Sequence, residues 1–139
     1  MRPQIPESRT SNEAVELLPR DGYFEACHRG TYSPGPYKEF VAESIRSCLN
    51  RQRDRLLVDI SGLRNFNPTA TQRYEMGDLA SRLRGGLTRV AIFGTPGQIE
   101  AQFGTVVARN RGLDVRAFTD RDEALRWLLR EKSAPPSPT

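Results

Sequence analysis

The stretch "LLVDISGLRNFNPTATQRYEMGDLA", Leu56 to Ala80, decides the fold. Its first residues, Leu56-Leu57-Val58, form an almost unbroken apolar run, the pattern of a strand covered on both faces. A short polar loop follows. Asn67-Pro68-Thr69 then reads as a helix start, with Asn67 as N-cap and Pro68 at the first helical position, where a missing N–H costs nothing. Met76, Leu79, Ala80 and Leu83 recur at the three-four spacing of a buried helix face, and Gly85-Gly86 stops the helix. A buried strand feeding an amphipathic helix is half of a βαβ unit.

The same alternation extends in both directions. Upstream, "EAVELL" and "YFEACHRG" are β-type runs separated by "PRDG", whose Asp21-Gly22 signals a turn, so an antiparallel hairpin opens the domain. Pro34-Gly35-Pro36 begins a helix that buries Tyr37, Phe40, Val41, Ile45, Cys48 and Leu49. Downstream, "TRVAIFG" is a second buried strand. Thr95-Pro96-Gly97-Gln98 then supplies an N-cap, an N1 proline and an N3 glutamine for a capping box. Ile99, Phe103, Val106 and Val107 line the inner side of that helix, which Gly112 ends. "LDVRAFTD" is the last strand, and Asp120 with Glu123 forms a second box before a helix that buries Ala124, Leu125 and Leu128.

The resulting order is ββαβαβαβα: an α/β fold with a five-stranded, mostly parallel sheet and four helices. The run "RLLVDIS" is expected beside the hairpin. One domain, residues 13–131, is expected between disordered tails at 1–12 and 132–139, both rich in polar residues and proline.

Composition narrows the function classes. The net charge of +4 comes from 19 Arg and 2 Lys against 17 acids. Arg51, Arg53, Arg82, Arg84, Arg109, Arg111, Arg130 and Lys132 fall at helix C-termini, where cations offset the negative end of the helix dipole. No nucleic-acid motif or interleaved aromatics accompany them, so no nucleic-acid partner is expected. No run approaches the ~18 apolar residues of a membrane span, and the N-terminus lacks an apolar signal region. No membrane association and a cytoplasmic location are expected.

Cys27 and Cys48 are the two cysteines and His28 the single histidine, so neither a disulfide framework nor a zinc site is expected. Adjacent residues on a strand face opposite ways, so Cys27 and His28 do not form a nucleophile–base pair. There is no phosphate-binding glycine loop. Neither a cofactor nor catalysis is expected. The edge that gathers strand C-termini and helix N-termini holds Asp59, Ser61, Asn67, Thr69, Thr95 and Thr119; open α/β sheets bind ligands on that side.

"VDISGL", the helix after it, and "VAIFG" resemble the STAS domain of anti-sigma-factor antagonists and sulfate transporters. "FGTVVARNRGLDVRAFTDRDEALRWL", Phe103 to Leu128, is similar to the ending of small bacterial STAS-like proteins. The resemblance covers roughly residues 13–130 and implies a SpoIIAA-like STAS fold. In the antagonists an Asp-Ser-Ser-Gly motif opens the second helix, and a partner kinase phosphorylates its second serine. Asn67, Pro68, Thr69 and Ala70 occupy those positions here, so the resemblance implies Thr69 as a candidate phosphoacceptor, while the residues alone read it as an ordinary first-turn residue of the helix. Asn67 lacks the motif's charge, and Pro68 alters what a kinase would recognise. The implied function is non-catalytic regulation through a protein partner, with a possible homodimer. The alternative, suggested by SEC14-type relatives of the fold, is a binder of a small apolar, lipid-like or anionic ligand at the strand C-terminal edge.

Overall fold

The computed structural model describes residues 14–102 and 113–130. The expectations for both tails, and for Phe103, Val106, Val107, Arg109, Arg111, Gly112 and Lys132, lie outside the described residues.

In chain order the elements are β1 (Ala14–Arg20), β2 (Tyr23–Thr31), α1 (Pro34–Asn50), β3 (Arg55–Asp59), β4 (Leu63–Arg64), α2 (Ala70–Leu83), β5 (Arg89–Phe93), α3 (Pro96–Gln102), β6 (Asp114–Phe118) and α4 (Arg121–Leu129). The strands lie side by side in the order β1-β2-β3-β5-β6. β1 runs antiparallel to β2, and the other neighbours are parallel. β1 is thus an edge strand, where Pro19 is tolerated despite its missing donor. Among the described residues the expected five strands become six, because Leu63-Arg64 pairs with Gly30-Thr31 beyond the turn that ends β3. Two residues carry no periodicity to read.

β2 and β3 are covered on both faces. Phe24, Ala26, Leu56 and Val58 meet Tyr37, Phe40, Ile45 and Cys48 of α1 on one side. Tyr23, Leu57 and Ala91 meet Ala124, Trp127 and Leu128 of α4 on the other. His28 joins the α1 side, its ring 4.6 Å from Phe40 and 6.2 Å from Tyr37 between centroids. Val41 and Leu49 are half-buried rather than buried.

α2 departs from expectation in two ways. It begins at Ala70, with Thr69 as N-cap, rather than at Asn67. The reason lies in the return bond. The Thr69 hydroxyl accepts from Gln72 N at 3.1 Å, and Gln72 Oε1 accepts from Thr69 N at 2.9 Å. Capping from Asn67 would place Ala70 at N3, which has no side chain to answer. Second, Met76, Leu79, Ala80 and Leu83 are only half-buried, and no residue of α2 is fully buried. The helix rides on α1, with Leu79 facing Lys38, Glu39, Ala42, Glu43 and Arg46, and leaves Tyr74 exposed.

The far end of α4 is anchored from the sheet. Arg89 Nη1 donates to the carbonyls of Trp127, Leu128 and Arg130 at 2.9, 3.3 and 2.8 Å. Arg55 Nη1 donates to Leu128 O at 3.1 Å. The guanidinium groups of Arg89 and Arg116 also lie over the Trp127 ring, 5.5 and 5.1 Å from its centroid. These strand arginines, unlike the basic residues that close the helices, supply the donors the α4 carbonyls need.

Candidate functional site

The strand C-terminal edge is built from three loops. The first leaves β3 at Asp59. Its Oδ1 accepts from Ser61 N at 2.9 Å and from Ser61 Oγ at 2.7 Å, so the carboxylate holds its own turn. Leu63 N closes the turn on Ile60 O at 3.0 Å, and Gly30 N donates to Gly62 O at 3.2 Å. Gly62 is required by close approach: a Cβ there would fall 2.5 Å from Arg29 Cγ, whose side chain crosses the turn.

The second loop links β5 to α3. Thr95 and Gln98 make the expected capping box: Thr95 N donates to Gln98 Oε1 at 2.8 Å and Gln98 N to Thr95 Oγ1 at 3.3 Å. Gln98 is buried, and its Nε2 reaches back to Ile60 O and Leu63 O at 2.9 and 3.0 Å. Gly94 leaves the room, since a Cβ there would sit 2.6 Å from Gln98 Oε1.

The third loop carries Asn67, exposed, and Thr69, exposed at the start of α2. It connects to the rest through Gln72: Tyr32 Oη donates to Gln72 Oε1 at 3.3 Å, and Tyr32 N donates to Arg64 O at 2.8 Å. Asp59 and Ser61 are bonded directly, and Thr95 reaches the same turn through Gln98 and its bonds to Ile60 O and Leu63 O, whereas Thr69 connects to it only through Gln72, Tyr32 and Arg64. Thr119 is exposed after β6. Asp120 caps α4 by accepting from Asp122 N at 2.9 Å; its bond goes to the second helical amide and not to Glu123 at the third.

Beneath this edge lies an ion network that the sequence reading did not single out. Glu25, the third residue of β2, is 5% exposed. Arg20 Nε donates to its Oε1 at 2.9 Å, and Arg121 Nη2 lies 3.0 Å from each of its carboxylate oxygens. Burial alone would raise the Glu25 pKa, but the hydrogen bonds and charges of Arg121 and Arg20 outweigh it and leave the pKa lowered. Arg121 Nη1 also stands 4.0 Å from Asp59 Oδ2. The available signal was strand alternation: Glu25 shares a face with Tyr23 and Cys27, and an acid on a covered face must find a cation.

Cys27 pairs in register with Asp59 and receives a bond from Arg29 Nη1 at 3.1 Å. Burial, helped by the Asp59 charge, raises its pKa against the opposing pull of Arg29, which keeps it a thiol. Cys48 is pushed up to about 12, by burial first and by Asp54 second. Both thiols are unsuited to nucleophilic chemistry. Among the described residues no group of three or more His, Cys, Asp or Glu could hold a metal ion, and no helix is long and apolar enough to cross a membrane.

Residues 25–129 match the family model described as SpoIIAA-like. The chain belongs to the SpoIIAA-like family. A solved structure of similar shape is that of an uncharacterized protein of the DUF3478 family, with a SpoIIAA-like fold, from Shewanella loihica PV-4. It has a TM-score of 0.53 and 22% identity, over 84% of this chain and 93% of that one. Likeness at that identity speaks for the fold alone. No curated protein matches the chain. In this SpoIIAA-like chain the Thr69 hydroxyl at the opening of α2 is the helix's N-cap.

Proposed function

We propose that this SpoIIAA-like domain is a non-catalytic regulatory module that binds a protein partner through its strand C-terminal edge. Asp59, Ser61, Asn67, Thr69 and Thr95 lie at or beside the contact. The observation that carries the reading is how the polar groups of this edge are used. Asp59 is committed to Ser61, Thr95 to the cap of α3 and Thr69 to the cap of α2. Such bonds fix the shape of a surface; they do not aim a nucleophile at a base.

Thr69 is the proposed point of control. It is exposed, and a phosphate on its oxygen would meet the first amides of α2 and the favourable end of the helix dipole. Arg73, one turn on, donates from Nη1 to Pro68 O at 3.1 Å, on the same side of the helix start. Intact-mass measurement of protein purified from its native host should show a species heavier by one phosphate that disappears in Thr69→Ala.

Affinity capture with wild type and Asn67→Arg tests the contact itself. Asn67 is exposed, so the new side chain obstructs the surface without entering the core. A protein retained by wild type and lost by the variant supports the proposal. A small molecule carried by the purified domain in a native mass spectrum, with no protein partner, would overturn it in favour of ligand binding at the same edge.

A further inference from the structure

We infer that Gln98 is a positioning residue that latches the Asp59–Leu63 turn to the start of α3, so that two loops of the proposed contact surface hold one shape together. The side chain is buried and every polar atom of its amide is used: Oε1 accepts from Thr95 N, and Nε2 donates to Ile60 O and Leu63 O. A capping glutamine needs only its oxygen. The two donated bonds are additional, and both go to a turn 35 or more residues away in sequence.

The surroundings are shaped for it. Gly94 lies so close that a methyl group would strike Gln98 Oε1 at 2.6 Å and Ile60 Cγ1 at 3.3 Å. The backbone meanwhile ties the same pieces in parallel, with Ile60 N donating to Phe93 O at 2.9 Å. Ile60 O and Leu63 O bracket the Ser61-Gly62 tip, so the glutamine sets where that tip stands relative to Thr95. A partner contacting either loop would meet a surface prearranged by the other, which lowers the ordering cost of binding.

The consequence for partner binding rests on the function proposed above; the latch does not. It is read on the free protein by site-resolved amide exchange, so a failed latch and a failed partner contact give separate results. Gln98→Glu keeps an oxygen for Thr95 N but turns a carboxylate toward two carbonyls. The amides of Leu63 and Gly30, which close the turn, should exchange about tenfold faster, the expected consequence of losing well-formed bonds. Thr88 N, bonded to Asp54 O at the opposite edge of the sheet, should keep its wild-type rate. Thr95→Ala removes the other arm of the cap and leaves both Nε2 bonds, so it should leave Leu63 and Gly30 unchanged. If Gln98→Glu fails to fold, Gln98→Met, which keeps the length and removes the donors, is read the same way. Unchanged rates at Leu63 and Gly30, equal acceleration at Thr88, or the same loosening in Thr95→Ala would overturn the latch.

Discussion

Removing the Thr69 hydroxyl takes away the acceptor that Gln72 N uses in the first turn of α2. Thr69→Ala should therefore cost roughly 1 kcal/mol of unfolding free energy in a urea titration. Asn67→Ala, two residues earlier, should stay within about 0.5 kcal/mol. The reverse ranking would return the cap to Asn67. Glu25 gives a second test, on pH. Its folded pKa lies below the ordinary carboxylate value, so its stabilising contribution is present above the unfolded pKa and is lost as pH falls through the folded one. The stability difference between wild type and Glu25→Gln should therefore shrink as the pH is lowered below about 4.5, the usual range for such a group. A difference that stays constant across that range would mean the Arg20 and Arg121 contacts do not act on the carboxylate's charge.

At the scale of elements, the arginines divide by what they touch. Arg82 pairs with Asp78 on the exposed side of α2, and Arg84 reaches the carbonyls of Gly85 and Leu87. Arg82→Ala with Arg84→Ala should lower stability by no more than about 1 kcal/mol, since Arg82 is exposed and Arg84 half-exposed. Arg89 serves three carbonyls of α4 and covers Trp127, and Arg89→Ala should cost about 1–3 kcal/mol. Thermal melts of both variants decide this, and equal losses would contradict it. The contrast also shows what the sequence made legible. β3 and β5 were readable because continuous apolar runs have one meaning in a βαβ order, and Thr95 with Gln98 because a capping box is local. The role of Arg89 was not, since its acceptors lie some 38 residues away and only the folded sheet brings them near. Likewise, the capping role of Gln98 could be read, but its bonds to Ile60 and Leu63 could not. The start of α2 was misplaced because Asn-Pro and Thr-x-x-Gln overlap, and the reciprocal pair wins.

For the molecule as a whole, opposite edges of the sheet do different work. One edge gathers arginines that serve helix ends, and these should not act as a nucleic-acid surface. A gel-shift titration with DNA or RNA at ~0.15 M salt should show no submicromolar binding, because exposed charges are strongly screened there. The other edge is the proposed contact surface, where Gln98 and the Asp59–Ser61 turn maintain shape and Thr69 is the proposed point of control. The most direct test is an amide-exchange footprint of the domain with its captured protein partner. Slowed exchange across residues 59–72 and 94–98, with rates around Arg51, Arg84 and Arg89 unchanged, is the predicted result; slowing confined to the arginine edge would contradict it.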